Sequence, residues 1–151
     1  WLRWLETDGV SGVGVFPALQ PVNEQSPTAE LRPPQAGQTD ESDLMPYEIL
    51  DAIEKAAIRD KRSPAECVRT IRELFPQFSI RVLAGHVERF FQLWCRNQWK
   101  RERYAPSFHL DDENLDPKTW CRFPILSGGF QHELSEMREY IESHINDSIE
   151  P

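Results

Sequence analysis

The stretch Ser26–Asp51 limits the fold of this chain more than any other segment. It carries Pro27, Pro33, Pro34 and Pro46, with Gly37 among them. Each proline lacks a backbone donor and fixes φ, so neither a continuous helix nor a central strand can run through the segment. Gly9, Gly12 and Gly14 lie just upstream. Residues 9–46 together therefore read as one long loop, with a short β-like run possible at Val13–Phe16. A loop of that length in a compact domain is either a lid ordered by a ligand or a mobile segment. Thr28, Asp40 and Glu41 place a hydroxyl and two carboxylates in it.

Helical patterns flank this loop. Trp1, Trp4 and Leu5 share one helical face over residues 1–8. A helix is expected from Pro46 to Arg59, with Ile49, Leu50, Ile53 and Ala57 as its apolar stripe and Pro46 in its first turn. Ser63-Pro-Ala-Glu66 is a capping box that opens a helix to Phe75, burying Val68, Ile71 and Leu74, and Pro76 stops it. The longest helix is expected from Ser79 to Arg103, with Leu83, Val87, Phe90, Phe91, Trp94 and Gln98 at helical spacing. A last helix, Phe130 to Ile145, aligns Phe130, Leu134, Met137, Ile141 and Ile145. No strand pattern of comparable strength exists, so the fold class is mainly α. The chain opens on Trp1 inside a helical pattern, which suggests a piece of a longer protein.

Composition excludes several functions. At 151 residues there is room for one small domain, and a net charge of −8 disfavours general binding to nucleic acid or a membrane surface. No apolar run approaches the ~20 residues of a membrane span. Cys67, Cys95 and Cys121 are dispersed and odd in number, which fits reduced thiols in a cytoplasmic protein. His86, His109, His132 and His144 form no ligand spacing for zinc. Asp111, Asp112, Glu113 and Asp116 read as a solvated acidic loop. Ser127-Gly-Gly129 lacks the residues that follow in a phosphate loop. One charge feature runs against the rest: residues 87–104 hold five basic and two acidic residues. Arg96, Lys100, Arg101 and Arg103 are either a solvated helix end offsetting its dipole or an anion site for phosphates or a carboxylate.

The wording of two segments is specific. Pro-Thr-Ala-Glu-Leu, Gln-Thr-Asp-Glu and Leu-Met-Pro-Tyr-Glu-Ile-Leu-Asp resemble the second substrate loop of NAD synthetases, especially the glutamine-dependent kind. Arg96-Asn-Gln-Trp-Lys-Arg-Glu-Arg-Tyr-Ala-Pro106 resembles the family's terminal helix, with its Lys-Arg and Pro-containing tail. Residues 111–124 are similar to the C-terminal extension of some bacterial members. The resemblance covers residues 1–129. It implies the C-terminal helical part of an α/β, adenine-nucleotide-hydrolase-like synthetase domain. Its expected layout is a helix remnant over 1–8, a lid loop over 9–46, a helical part over 46–104 and an extension over 105–151.

By resemblance, such enzymes join ATP and deamido-NAD, with Mg²⁺, into an adenylated intermediate. Ammonia, drawn from glutamine, then forms the amide of NAD. Thr28 matches a hydroxyl on the ATP phosphates, and Lys100, Trp99 and Arg101 match the deamido-NAD contact. Glu30, Asp40 and Glu41 belong to the lid. The Ser-Gly-Gly-x-Asp-Ser loop, the metal ligands and the Cys/Glu/Lys glutaminase site are not in this sequence. The expectation is therefore a chain that is inactive alone and belongs to a homo-oligomeric parent. The competing reading is a non-catalytic helical interaction module.

Overall fold

A computed structural model describes residues 1–26, 28, 32–33, 37–103, 116, 118 and 128–146. The side chains of Arg101, Glu102 and Asn146 lie outside that description. The described elements are helical, with one isolated bridge between Val10 and Gly14. The chain divides into two compact units, residues 1–44 and 45–151.

In the first unit, α1 (Leu2–Thr7) packs on a 3-10 turn at Pro17–Leu19 and on α2 (Gln20–Asn23). A tight turn returns the chain from α1. The N–H of Val10 donates to Gly14 O at 3.0 Å, and Phe16 N donates to Leu5 O at 3.0 Å. Gly9 makes this turn possible: its φ is +71°, and a Cβ there would lie 2.2 Å from Gly14 O. The short β-like run expected at Val13–Phe16 is thus a glycine turn with a single bridge. Asn23 Nδ2 donates to Glu6 Oε2 at 2.7 Å and ties α2 to α1.

The expected loop 9–46 contains further local order at α3 (Asp40–Asp43). Thr39 and Ser42 form a reciprocal capping box: Ser42 N donates to Thr39 Oγ1 at 3.1 Å, and Thr39 N donates to Ser42 Oγ at 3.2 Å. Asp40, Glu41 and Asp43 are the acidic residues of that turn, where the helix dipole favours negative charge.

The second unit is a helical bundle. Pro46 is the N-cap of α4 (Tyr47–Glu54), one position before the first turn expected for it. The helix then widens into a π-turn at Lys55–Arg59. Asp60 N reaches back to Lys55 O at 3.1 Å, and Lys61 ends the run with φ of 56°. A lysine in the left-handed region stops a helix as a glycine would, at a conformational cost. Ser63 caps α5 (Pro64–Leu74) with Glu66 as its reciprocal partner. α5 packs on α6 (Ile80–Arg96) and on α8 (Gln131–Asn146), and α4 packs on α5 and α6.

The core is built from the expected stripes. Ile49, Ile53, Val68, Ile71, Leu83, Val87, Phe91, Leu134 and Met137 are buried. Leu74 is not: it is 60% exposed, while Phe75 packs against the core. The helix stops at Leu74 because Phe75 precedes a proline and takes extended φ, which swings its ring inward. The long helix expected from Ser79 to Arg103 is also interrupted. Asn97 leaves helical geometry at φ −97° and ψ 8°, and a separate short helix follows, α7 (Gln98–Glu102). Asparagine competes for backbone hydrogen bonds and is a common helix end.

Two outcomes follow from this packing. Met137 is 1% exposed. Met137→Ala is expected to lower unfolding stability by about 2–4 kcal/mol in urea titrations, whereas His132→Ala changes it little. Glu66 accepts from the N–H of Ser63 at 2.8 Å, and this bond holds its carboxyl below its usual 4.5. Its stabilisation is present above that ordinary value and is lost as pH falls through the lowered one. Glu66→Gln is therefore expected to flatten the acid limb of thermal stability, read by circular dichroism from neutral pH downward.

Candidate functional site

The break at Asn97 determines what the end of α6 presents. Gln98 directly after it is fully buried. α7 is therefore anchored at its first residue, and the next two side chains, Trp99 and Lys100, emerge exposed. Phe90, Phe91 and Trp94 on the same strand of sequence are buried, yet Trp99 is 49% exposed.

The exposed indole has positive charge over its ring. Lys100 Nζ and Arg103 Cζ each lie 5.9 Å from the Trp99 ring centroid, at the outer limit of a cation–π contact. Among the described residues neither cation is held by a carboxylate. Such a patch can take an anionic planar group: the ring supplies a stacking face and the cations supply charge-assisted hydrogen bonds.

Of the sequence-expected contacts here, Trp99 and Lys100 are brought together. Arg101 lies within α7, but its side chain falls outside the described residues. Arg103, which the sequence marked only as part of the basic cluster, is the second cation beside the ring. Its spacing of four from Trp99 was the available signal, since i and i+4 share a helical face.

The residues expected of the ATP contact and of the lid fall in the first unit. Thr28 is exposed, Asp40 is half-buried and Glu41 is exposed; Glu30 lies outside the described residues. Sequence reasoning passed over Thr39 and Asp43. Asp43 accepts from Gln38 Nε2 at 2.6 Å and pairs with Arg32 at 2.8 Å, while Thr39 caps the turn. Asp43 thereby joins three points of the segment that carries Asp40 and Glu41.

Other chemistry is limited. Burial pushes the Cys67 thiol up to about 12, so it is a poor nucleophile. Among the described residues no group of three or more His, Cys, Asp or Glu side chains is placed to hold a metal. Cys121, His109 and the acidic residues 111–113 lie outside the described residues, whereas Asp116 accepts from the N–H of Lys118 at 2.8 Å. Burial lowers the His86 pKa, with Arg89 adding to the effect. His132 is exposed beside Glu136. No described helix is long and apolar enough to cross a membrane.

A family model described as NAD synthase matches residues 13–103, which include the turn α3 and the Trp99–Lys100–Arg103 patch. The chain belongs to the NAD synthase family. It is 29% identical over 126 residues to a glutamine-dependent NAD(+) synthetase of Xanthomonas campestris pv. campestris (strain 8004). That similarity covers 83% of this chain and 19% of the relative. The crystal structure of a glutamine-dependent NAD(+) synthetase from Cytophaga hutchinsonii superimposes with a TM-score of 0.68 at 39% identity. It covers 91% of this chain and 19% of that structure. The chain thus spans about a fifth of the length of these relatives. Within this NAD synthase segment, α8 lies beyond the residues matched by the family model, yet it supplies Leu134, Met137 and Ile141 to the core.

Charge at the patch can be read by quenching. Iodide is expected to quench Trp99 emission more strongly than caesium, and the Lys100→Gln, Arg103→Gln pair to remove that preference. Emission specific to Trp99 is obtained by difference against Trp99→Phe.

Proposed function

We propose that this chain is the substrate-loop and deamido-NAD-contact portion of an NAD synthetase. The reaction of the whole is the ATP-dependent amidation of deamido-NAD to NAD through an adenylated intermediate, with ammonia drawn from glutamine. The observation that carries this reading is the family match across residues 13–103 together with the exposed Trp99 between two cations.

In this reading Thr28 donates its hydroxyl to a phosphate oxygen of ATP, which adds a hydrogen bond without adding charge. The turn carrying Asp40 and Glu41 closes with the segment containing Glu30. A closed lid keeps water from an activated acyl group, which would otherwise hydrolyse. Trp99 stacks on the pyridine ring of deamido-NAD. Lys100 faces its carboxylate, and Arg101 extends the same contact. The described residues do not fit Mg²⁺, so the ion that accompanies ATP would be held outside them. Oligomerisation and the supply of ammonia belong to the remainder of the synthetase.

A non-catalytic interaction module is the competing reading. It is favoured by the exposed rings of the first unit, with Trp1 at 70% and Trp4 at 44% exposure.

One pair of measurements separates these. The isolated chain is expected to form no NAD from ATP, ammonia and deamido-NAD. It is expected to bind deamido-NAD weakly through Trp99, with Lys100→Ala lowering the affinity about tenfold, as for loss of a charge-assisted hydrogen bond. Formation of NAD by the chain alone would overturn its incompleteness. Unchanged deamido-NAD binding in Lys100→Ala would overturn the site and favour the interaction module.

A further inference from the structure

Arg103 has no place in the substrate contact as the sequence frames it, yet it approaches the Trp99 ring as closely as Lys100 does. Each cationic centre lies 5.9 Å from the ring centroid. Lys100 lies within α7 and Arg103 directly follows its last residue, and both reach the same ring. Their base is fixed, because Gln98 is buried at the first residue of α7. Two cations beside one stacking surface do more than strengthen binding. They make the surface sensitive to the charge of whatever stacks on it.

We propose that Arg103 is a specificity-determining residue of this site. Together with Lys100 it makes the Trp99 platform favour a pyridine ring bearing a carboxylate over the same ring bearing a neutral amide. This rests on the reading of Lys100 and Trp99 given above. A carboxylate and a carboxamide have nearly the same shape, so packing alone separates them poorly. They differ by one unit of charge, and that is what a flanking pair of cations reads. An ammonium is a point charge, whereas a guanidinium offers a planar fork to both carboxylate oxygens. The amide cannot accept at both positions, since one of them is an NH₂ donor facing a donor. The consequence is directional. The acid substrate is held and the amide product is released, so product does not accumulate on the platform.

The test uses the full 151-residue chain with 5-fluorotryptophan in place of tryptophan, observed by fluorine NMR. The Trp99 resonance is assigned by its loss in Trp99→Phe. Deamido-NAD and NAD, which differ only in acid against amide, are titrated separately. Exposed charge pairs are each worth about threefold, so deamido-NAD is expected to bind about tenfold more tightly than NAD. Arg103→Gln is expected to reduce that preference to about threefold, and Arg103→Lys, which keeps the charge and loses the fork, to leave it between the two values. A preference unchanged in Arg103→Gln but diminished in Lys100→Gln would overturn the role of Arg103 and leave the Lys100 site standing. A Trp99 resonance that neither dinucleotide moves at millimolar concentration would overturn both.

Discussion

Packing of Phe91 and Trp94 on Phe130 governs the functional end of the second unit. Phe91 meets Phe130 edge-on at 4.7 Å, and Trp94 stacks on it at 5.5 Å and 22°. The two contacts join the last turns of α6 to the entry of α8. Aromatic pairs of this kind add about 0.5–1.5 kcal/mol each beyond the area they bury. Gly129 lets the chain turn into that contact with φ of +73°. α8 then runs back along the bundle, burying Met137 and Ile141, and Arg138 pairs with Glu88 of α6. Fixing the end of α6 fixes Asn97 and Gln98, and through them the direction in which Trp99, Lys100 and Arg103 leave the core. The helix farthest from the family match therefore supports the patch most directly.

The two units solve different problems with the same device. A capping box holds the start of α5 in the bundle, and another holds the short turn α3 in the lid segment. In the bundle the cap is supplementary, because Cys67, Val68 and Ile71 already bury that helix. The turn α3 has no buried residue of its own, and the Thr39–Ser42 box and the bonds of Asp43 contribute to its order. Local hydrogen bonds with little apolar burial give low local stability.

Much of the bundle was legible from residue order. Burial of Ile49, Ile53, Leu83, Val87, Phe91, Leu134 and Met137 follows from apolar spacing near 3.6, and Ser63-Pro-Ala-Glu66 states its own cap. The misread positions are those where that period continues through a change of geometry. The π-turn at Lys55–Arg59 keeps Ala57 buried, so the stripe does not reveal it. The break at Asn97 is hidden because Gln98 falls where a continuous helix would also bury a residue. Leu74 fits the stripe by spacing, but the proline after Phe75 ends the helix before the stripe can use it. In the long loop the failure is of another kind. Thr39-Asp-Glu-Ser caps with a serine where glutamate is the usual signal, and the glycine turn at Gly9–Gly14 needs tertiary contact with Leu5 to form.

The candidate site was partly legible for the same reason. Its composition was plain, four cations within residues 96–103 of an acidic chain, but composition leaves a solvated helix end and an anion site equally open. The exposed ring is what supports the anion site proposed above. A helix end that merely offsets its dipole needs cations and no exposed aromatic, and a buried aromatic would have joined Phe90 and Trp94 in the core. Trp99 does neither. Gln98 falls on the stripe that runs through Leu83, Val87, Phe91 and Trp94 and is buried, whereas Trp99, one position on, is 49% exposed. Several large apolar side chains of this chain are as exposed as Trp99, and what marks this ring is the pair of cations over it. An apolar partner covering the ring would also have to desolvate the two cations over it, neither of them held by a carboxylate among the described residues.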